Sequence, residues 1–497
     1  MKNSKRVYWS ALLVCLLSLM PAGVKAQAVL PDVNCDSQAN ISDVTTLINY
    51  LMGYEGGPAS WQNGHLSAAD YGAVGDGVTD DTEALEHLFD AAASLKKAAY
   101  IPAGTYLIRR PLTLKSGMEV YGDGESTILK KKAAVWHSLT VQLNTDEEEV
   151  TLDGVDGLCV GDAMFISDGK THLTDGAGSA RDCTYGVITA IDTANNKVAF
   201  VGTLDYVDGH QGAVKNHAVG CVLSTSYAIL RSWSQWEAVN VNIHDICLDG
   251  NRQTAEPMSW CNGVIHFDPY TNAKRNTVWY KTRSYNHIIS NCRIVNSSFD
   301  GISDQGEGGL IVKDCVIENS AMHGIHMGTD FANAIVAGNT LSGNAIRGSG
   351  IFFCQNVTNV IVDNNTVTGF NHGCSDQEYG TEVKYVIIRN NQFNNMTGYV
   401  FDFLKATSAR HGAGLQIMNN TIGGLRTTMF SGGYLDDVVI SSNTVNSTSA
   451  TPSSLINVTN SKNVIIVGNT LPSGVSVSSP VVSTNSTNVI NTSNSWN

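Results

Sequence analysis

Five short stretches carry the residues with most chemical capacity: FDGISDQ (299–305), MHGIHMG (322–328), GSGIFFC (348–354), NHGCSDQ (371–377) and YVFDF (399–403). Stacked on one another, the first four on a shared glycine, they place Asp300, His323, Ser349 and His372 in one column. Ser303, His326, Phe352 and Ser375 form a second, and Asp304, Met327, Phe353, Asp376 and Asp402 a third. Carboxylates and imidazoles that recur in this way suit acid–base work on a sugar. Glycosidic hydrolysis needs a carboxylic acid to protonate the leaving oxygen and a carboxylate to activate water, roughly 6.5 to 9.5 Å away for inversion. Elimination from a uronate needs a base near the C5 proton and a cation to neutralise the carboxylate. We expect Asp300 and His323 to form the acid/base centre, with His326 and Asp376 alongside.

An acidic sugar would also need cations and ring-stacking surfaces. Arg347, Lys384, Lys405, Arg410 and His411 are the candidate basic groups, with Arg347, Lys405 and Arg410 preferred for substrate. Further candidate acids are Asp304, Glu307, Asp330 and Glu378. The corner loop 252–283 carries Trp260, Tyr270, Trp279 and Tyr280, and we assign Trp279 and Tyr280 to sugar stacking.

The elements that must position these groups follow from a repeat. The phrases IISNCRIVN, LIVKDCVIEN, AIVAGNTLSGN, VIVDNNTVTGF, VIIRNNQFNN, LQIMNNTIGG, VVISSNTVNS and VIIVGNTLPS share a β-branched run, a turn residue and a second apolar pair. Their turn residues are Cys292, Cys315, Asn339, Asn365, Asn391, Asn420, Asn443 and Asn469, spaced by 23 to 29 residues. A period of this size without intervening helices specifies a solenoid of parallel strands, one coil per repeat. Coils about 4.8 Å apart allow inward asparagines to bond amide to amide along the stack. The isoleucines at 302, 325 and 351 belong to the core, so Gly301 with Ser303 and Gly324 with His326 are expected to lean outward.

Upstream, Leu85, Leu88, Phe89 and Ala92 form the apolar face of a helix that would plug the open end of the solenoid, started by a capping pair of Asp80 and Glu83. Asp76, Asp80 and Asp81 are read as turn-forming. From about 150 to 224 the period lapses into alternating segments with Asn-rich turns, an inserted small β subdomain. The fold expected is all-β: a single-stranded parallel β-helix with a capping helix and that insertion, spanning residues 67–497.

The N-terminus has a basic start, an apolar run from Ala11 to Met20 and small residues before a cut near Ala26, the pattern of an export signal over 1–26. No later segment is apolar enough to span a bilayer. The net charge of -14 falls to about -18 without the leader, which argues against nucleic acid as partner. Ten cysteines remain; Cys292 and Cys315 fall on the coil repeat and no C-x-x-C pair exists, so they read as buried small side chains and not as a zinc site.

Two resemblances join these readings. DYGAVGDGVTDDTEAL, followed by YIPAGTYLI and VYGDGESTIL, resembles the opening of the pectate-lyase-type right-handed β-helix superfamily, which includes rhamnogalacturonases, phage tailspikes and certain epimerases. Segment 30–54, before a linker at 55–66, places Asp32, Asn34, Asp36, Asn40 and Asp43 at loop positions that suit calcium. It resembles a single dockerin-type repeat with Ser37 in place of the turn glycine, which implies a cohesin-like or cell-surface partner. Asp300-Gly301, with His323-Gly324 or His372-Gly373, is similar to part of the polygalacturonase arrangement, whose Asp-Asp and Arg-x-Lys elements this chain lacks. The combined expectation is an exported enzyme acting on a polysaccharide, one with uronic acids, by elimination or hydrolysis. The rival readings are a carbohydrate-binding or adhesive β-helix and a C5 epimerase.

Overall fold

A computed structural model describes residues 64–496 except 169–182, 203–205, 208–209, 212–213, 215, 233–237, 258–262, 268–283, 307, 329–330, 345–347 and 377–381. The export signal, the calcium-loop segment with Asp32, Asn34, Asp36, Asn40 and Asp43, and the aromatic and basic positions Trp260, Tyr270, Trp279, Tyr280 and Arg347 lie outside the described residues. So do Glu307, Asp330 and Glu378.

The chain winds as a right-handed parallel β-helix. Each central coil gives two strands to a 25-stranded parallel sheet and one to an 11-stranded parallel ladder. In chain order the ladder strands are β1 Leu112–Thr113, β2 Leu230–Arg231, β3 Ile265–Phe267, β4 Ile302–Asp304, β5 Ile325–Met327, β6 Ser349–Phe353, β7 His372–Ser375, β8 Phe401–Phe403, β9 Phe430–Gly433, β10 Ile456–Thr459 and β11 Val481–Thr484. Apolar side chains stack on their own kind along the interior: Leu230, Ile265, Ile302, Ile325, Ile351, Cys374, Phe401, Phe430 and Ile456 pair coil to coil and none is exposed. Each such side chain contributes about 1.5–3 kcal/mol by leaving water. A shift of one residue would expose the whole row, which fixes the register.

The asparagine ladder holds the coils in that register. Asn365 donates its backbone N–H and its amide N–H to Asn391 Oδ1 at 2.8 and 2.9 Å, and its amide reaches Val336 O at 2.8 Å. The same double bond links Asn339 to Asn365, Asn391 to Asn420, Asn420 to Asn443 and Asn443 to Asn469. It runs one coil further than the sequence repeat, to Asn494. Before each ladder residue the backbone turns into the left-handed region, at Asn364, Asn390 and Asn419 for example, where asparagine is tolerated best among side-chain-bearing residues. Cys315 N–H bonds Asn339 Oδ1, so the two cysteines continue the column downward, buried and without disulfides.

Helix α1 (Thr82–Leu95) packs Leu85, Leu88, Phe89 and Ala92 against the first coil. The expected Asp80–Glu83 capping pair does not form. Asp81 is the N-cap position and spends its carboxylate on Val74 and Gly75 N–H, while Asp80 bonds Thr82 and pairs with Arg109 at 2.7 Å. The inserted subdomain is a six-stranded antiparallel sheet running from Trp136–Ser138 to Val222–Ser224, so it opens before residue 150.

Candidate functional site

The outer face of the ladder carries a column of polar and titratable side chains. Alternation with the buried isoleucines directs one residue per strand outward, and parallel register stacks them as Arg231, His266, Ser303, His326, Phe352, Ser375, Asp402, Ser431 and Asn457. Phe352 stands outside the core cluster that holds Ile351 and Phe353, as an outward residue should. The column is well covered. Between Arg231 and Ser431 its two most exposed members are His326 at 8% and Asp402 at 9%.

Two expectations about the columns need correction. Asp402 pairs with Ser375 and so belongs to the outward column, not with Asp304 and Asp376. The glycines do not lean outward: a β-carbon on Gly301 would stand 2.5 Å from Ile317 Cγ2, and one on Gly350 would stand 2.3 Å from Val367 Cγ1. The glycine column therefore lets the chain bend tightly over the core, and it turns the preceding residues, Asp300 and His323, to the outer face.

Around β4 to β6 these residues form a closed hydrogen-bond cluster. Asp300, without solvent exposure, accepts His323 N–H on Oδ1 at 3.0 Å and faces His326 Nδ1 with Oδ2 at 2.8 Å. Burial opposes charge on His326, but the Asp300 carboxylate and its hydrogen bond outweigh it and raise the imidazole to about 10. His323 is the opposite case. Burial lowers it to about 3, and Ser349 N–H donates to its Nδ1 at 3.0 Å, so the neutral ring carries its proton on Nε2. It stacks on Phe352 at 4.0 Å. Gln305 Nε2 lies 3.3 Å from His326 Nε2 and 3.0 Å from Ser303 Oγ.

Asp300, His323 and His326 are the one trio among the described residues whose donor atoms approach within 4.8 Å, as a metal would require. Their hydrogen bonds already occupy both Asp300 oxygens and the Nδ1 atoms of both rings, so the trio reads as a hydrogen-bond cluster. Beneath it, Lys131 and Glu256 form a fully buried pair at 2.6 Å that also engages Ser298, two residues before Asp300.

Asp376, expected beside this cluster, lies two coils beyond His326, about 10 Å along the axis. It stands instead with Asp402, one coil step and one residue away. Both carboxyls are buried, and each keeps an Oδ1 without a hydrogen-bond partner. Burial, then the charge of Asp402, push Asp376 well above the usual carboxyl range. Burial raises Asp402 to about 6 against the opposing charge of Lys405. His372 Nδ1 donates to Tyr399 O at 3.2 Å and stands 3.7 Å from Asp402 Oδ2, while Asn371 donates to its Nε2 at 2.8 Å. That ring is neutral, lowered to about 4 by burial. Lys405 thus serves the carboxyl pair, and Arg410 lies exposed on the turn that follows.

The outward places of Arg231, His266 and Asp402 were not found by reading the sequence. The usable signal was the residue directly after each inward apolar side chain, which does not depend on a neighbouring glycine.

The fold and this face define a class, the β-helix proteins that present titratable side chains along one parallel ladder. Residues 66–326 match the family described as rhamnogalacturonase A/epimerase, pectate lyase-like, and residues 276–423 match the right-handed β-helix region. The chain belongs to the rhamnogalacturonase A/epimerase, pectate lyase-like family. Over 66 residues it is 44% identical to plasmin and fibronectin-binding protein A of Streptococcus pneumoniae, covering 13% of this chain and 9% of that one. Over 91 residues it is 30% identical to the tail spike protein of Shigella phage Sf6, covering 17% and 14%. Matches to these and the other curated relatives span no more than 14% of the relatives' lengths. Among solved structures, the A-module of a mannuronan C-5 epimerase from Azotobacter vinelandii is 16% identical, with 86% of this chain and 99% of that one covered and a TM-score of 0.47. No helix among the described residues is long and apolar enough to cross a membrane.

Proposed function

We propose that this protein is an exported enzyme that cleaves a polysaccharide by glycosidic hydrolysis, with Asp376 and Asp402 as the reacting carboxyls. The observation that carries the reading is the pair itself: two carboxyls on adjacent coils, each with an unpartnered oxygen, displaced upward to different extents. Two titratable groups whose surroundings separate their proton affinities are suited to divide acid and base roles. Asp376, held protonated, gives its proton to the glycosidic oxygen as the bond to the anomeric carbon breaks. Asp402, ionised above about pH 6, attacks that carbon. Water then hydrolyses the resulting ester and returns a proton to Asp376. The anomeric configuration of the first product separates this route, which retains it, from one in which Asp402 activates a water and inverts it. Lys405 holds Asp402 in its working range, and the neutral His372 ring stands 3.7 Å from Asp402 Oδ2.

Supporting the substrate class are the family, the polysaccharide-acting proteins among structures of similar fold, and the length of the polar column. The expected leader fits export, and the dockerin-like segment, if it binds calcium, would supply attachment to a cohesin-like or surface partner without entering the chemistry. Incubation with a panel of pectic and other acidic glycans tests the reading. New reducing ends without ultraviolet absorbance of an unsaturated uronate are expected. Absorbance alongside the reducing ends would replace hydrolysis with elimination. Binding without any new ends would leave an adhesive protein, and changed uronate stereochemistry with intact chains would mean epimerisation.

A further inference from the structure

Besides the turns of the asparagine ladder, the solenoid carries a second column of left-handed backbone. From Asn333 it runs one residue per coil through Asn359, Tyr385, Gly414, Asp437, Asn463 and Asn488, all with φ between 53° and 68°. Asparagine, aspartate and glycine accept this conformation, whereas a bulky side chain there is strained. The column also bonds from coil to coil. Asn359 Nδ2 donates to Asn333 Oδ1 at 3.2 Å, Asn463 Nδ2 to Asp437 Oδ1 at 2.8 Å and Asn488 Nδ2 to Asn463 Oδ1 at 2.8 Å. Tyr385 departs on both counts. Its backbone takes the strain, and its side chain makes no hydrogen bond or ring contact among the described residues. Tyr434, also at positive φ, at least packs its ring against His411.

Tyr385 is 53% exposed, and it is the one Phe, Tyr or Trp among the described residues in that state. The next coil makes room for it: a β-carbon on Gly414 would stand 2.8 Å from Tyr385 Cδ1, so only glycine lets the ring lie there. A strained backbone that holds an aromatic ring out in water costs stability and returns no contact, and strain of that kind is kept where a ligand uses it. We propose that Tyr385 is a platform for the apolar face of a neutral sugar ring, anchoring a polysaccharide on the large sheet instead of on the ladder. The residue belongs to the strand Lys384–Arg389 of the 25-stranded sheet. Neutrality follows from the charges beside it. Lys384 is held by Glu382 at 2.5 Å and Arg389 by Asp363 at 3.0 Å, so that strand keeps no cation for a carboxylate. Such a platform holds the polymer whether or not the ladder cleaves it.

Stability and binding should therefore move in opposite directions. Tyr385→Asn restores the residue type of the column and adds a donor facing Asn359, so its melting temperature should rise. Its affinity for neutral glycans should fall by about fivefold, while Tyr385→Trp should keep that affinity. Retardation in native gels containing soluble galactan, arabinan or xyloglucan measures the affinity, with every variant made in the Asp402→Asn chain so that no glycan is cut. Polygalacturonate is the charged control, and it should retard the Tyr385→Asn chain as much as its parent. A Tyr385→Asn chain that melts lower and binds as before would make the ring a structural part of the coil and overturn the proposal. No retardation of the parent by any of the three neutral glycans would overturn it too, and an equal loss on polygalacturonate would overturn the assignment to neutral sugar. Tyr385-dependent binding in a protein that cleaves no glycan would instead fail the hydrolytic reading alone.

Discussion

Two locales on one ladder, a few coils apart, use the same residue types to opposite ends. Around β4 to β6 a carboxylate is surrounded by imidazoles and backbone N–H, every oxygen is bonded, and donors remain. Around β7 and β8 two carboxyls stand with a single lysine nearby, and an oxygen of each has no partner. Saturated hydrogen bonds give a group a fixed charge and hold coils together. Unsaturated ones leave it free to exchange protons. The difference shows that the same residue types are left with unequal hydrogen-bond capacity in the two locales.

The largest effect expected is on turnover. Asp402→Asn should reduce hydrolysis by about a thousandfold, within the range lost when a positioned acid or base is removed. Its melting temperature should change little, because the carboxyl it replaces is neither fully ionised nor fully bonded. A variant that unfolds, or one that keeps full activity, would erase the distinction between the locales.

The same substitution in the other locale should give the reverse. Asp300→Asn strips a buried imidazolium of its partner, and breaking such a pair costs about 3–5 kcal/mol. We expect a large fall in melting temperature, with short-chain turnover per folded molecule retained. Lys131→Met should behave similarly, since it leaves Glu256 buried and unpaired. Asp300→Asn with normal stability and no activity would move the chemistry to Asp300.

A smaller effect sharpens the comparison through pH. His326 is raised to about 10 in the folded chain, above its unfolded value near 6.5. The stability it contributes is therefore complete below about 6.5 and is lost as pH rises through about 10. Melting temperature followed from neutral to alkaline pH should decline across that window, and the decline should flatten in Asp300→Asn. An equal slope in both proteins would show that His326 does not carry its charge on account of Asp300.

How far this contrast was legible in the sequence depends on what repeats. The asparagine ladder was legible because one side chain does one job on every coil, and its bonds in the structure follow the predicted column. The apolar helix face was legible for a similar reason, since 3.6-residue spacing leaves no other use for Leu85, Leu88, Phe89 and Ala92. Asp300, His323 and His326 were brought together as their spacing implied, because a shared glycine marked their bend. Asp402 was put in the wrong column because its strand, YVFDF, lacks that glycine and offered no mark to align on. Which carboxylates were already satisfied was beyond the sequence, since a decisive donor is a backbone N–H, that of His323 on Asp300 from one coil away.

Lys405 gives the finest test of the carboxyl locale. Its charge opposes the burial that raises Asp402, so Lys405→Met should move Asp402 further up from about 6. If Asp402 must be ionised to attack, activity rises with pH through its titration, and losing the lysine shifts that acidic limb to higher pH. At pH well above the shifted limb the two enzymes should converge if Lys405 acts only through Asp402. A limb that stays in place would free Asp402 from the rate-controlling titration. A descending alkaline limb that moves to higher pH in its place would exchange the roles, making Asp402 the proton donor and Asp376 the attacking group.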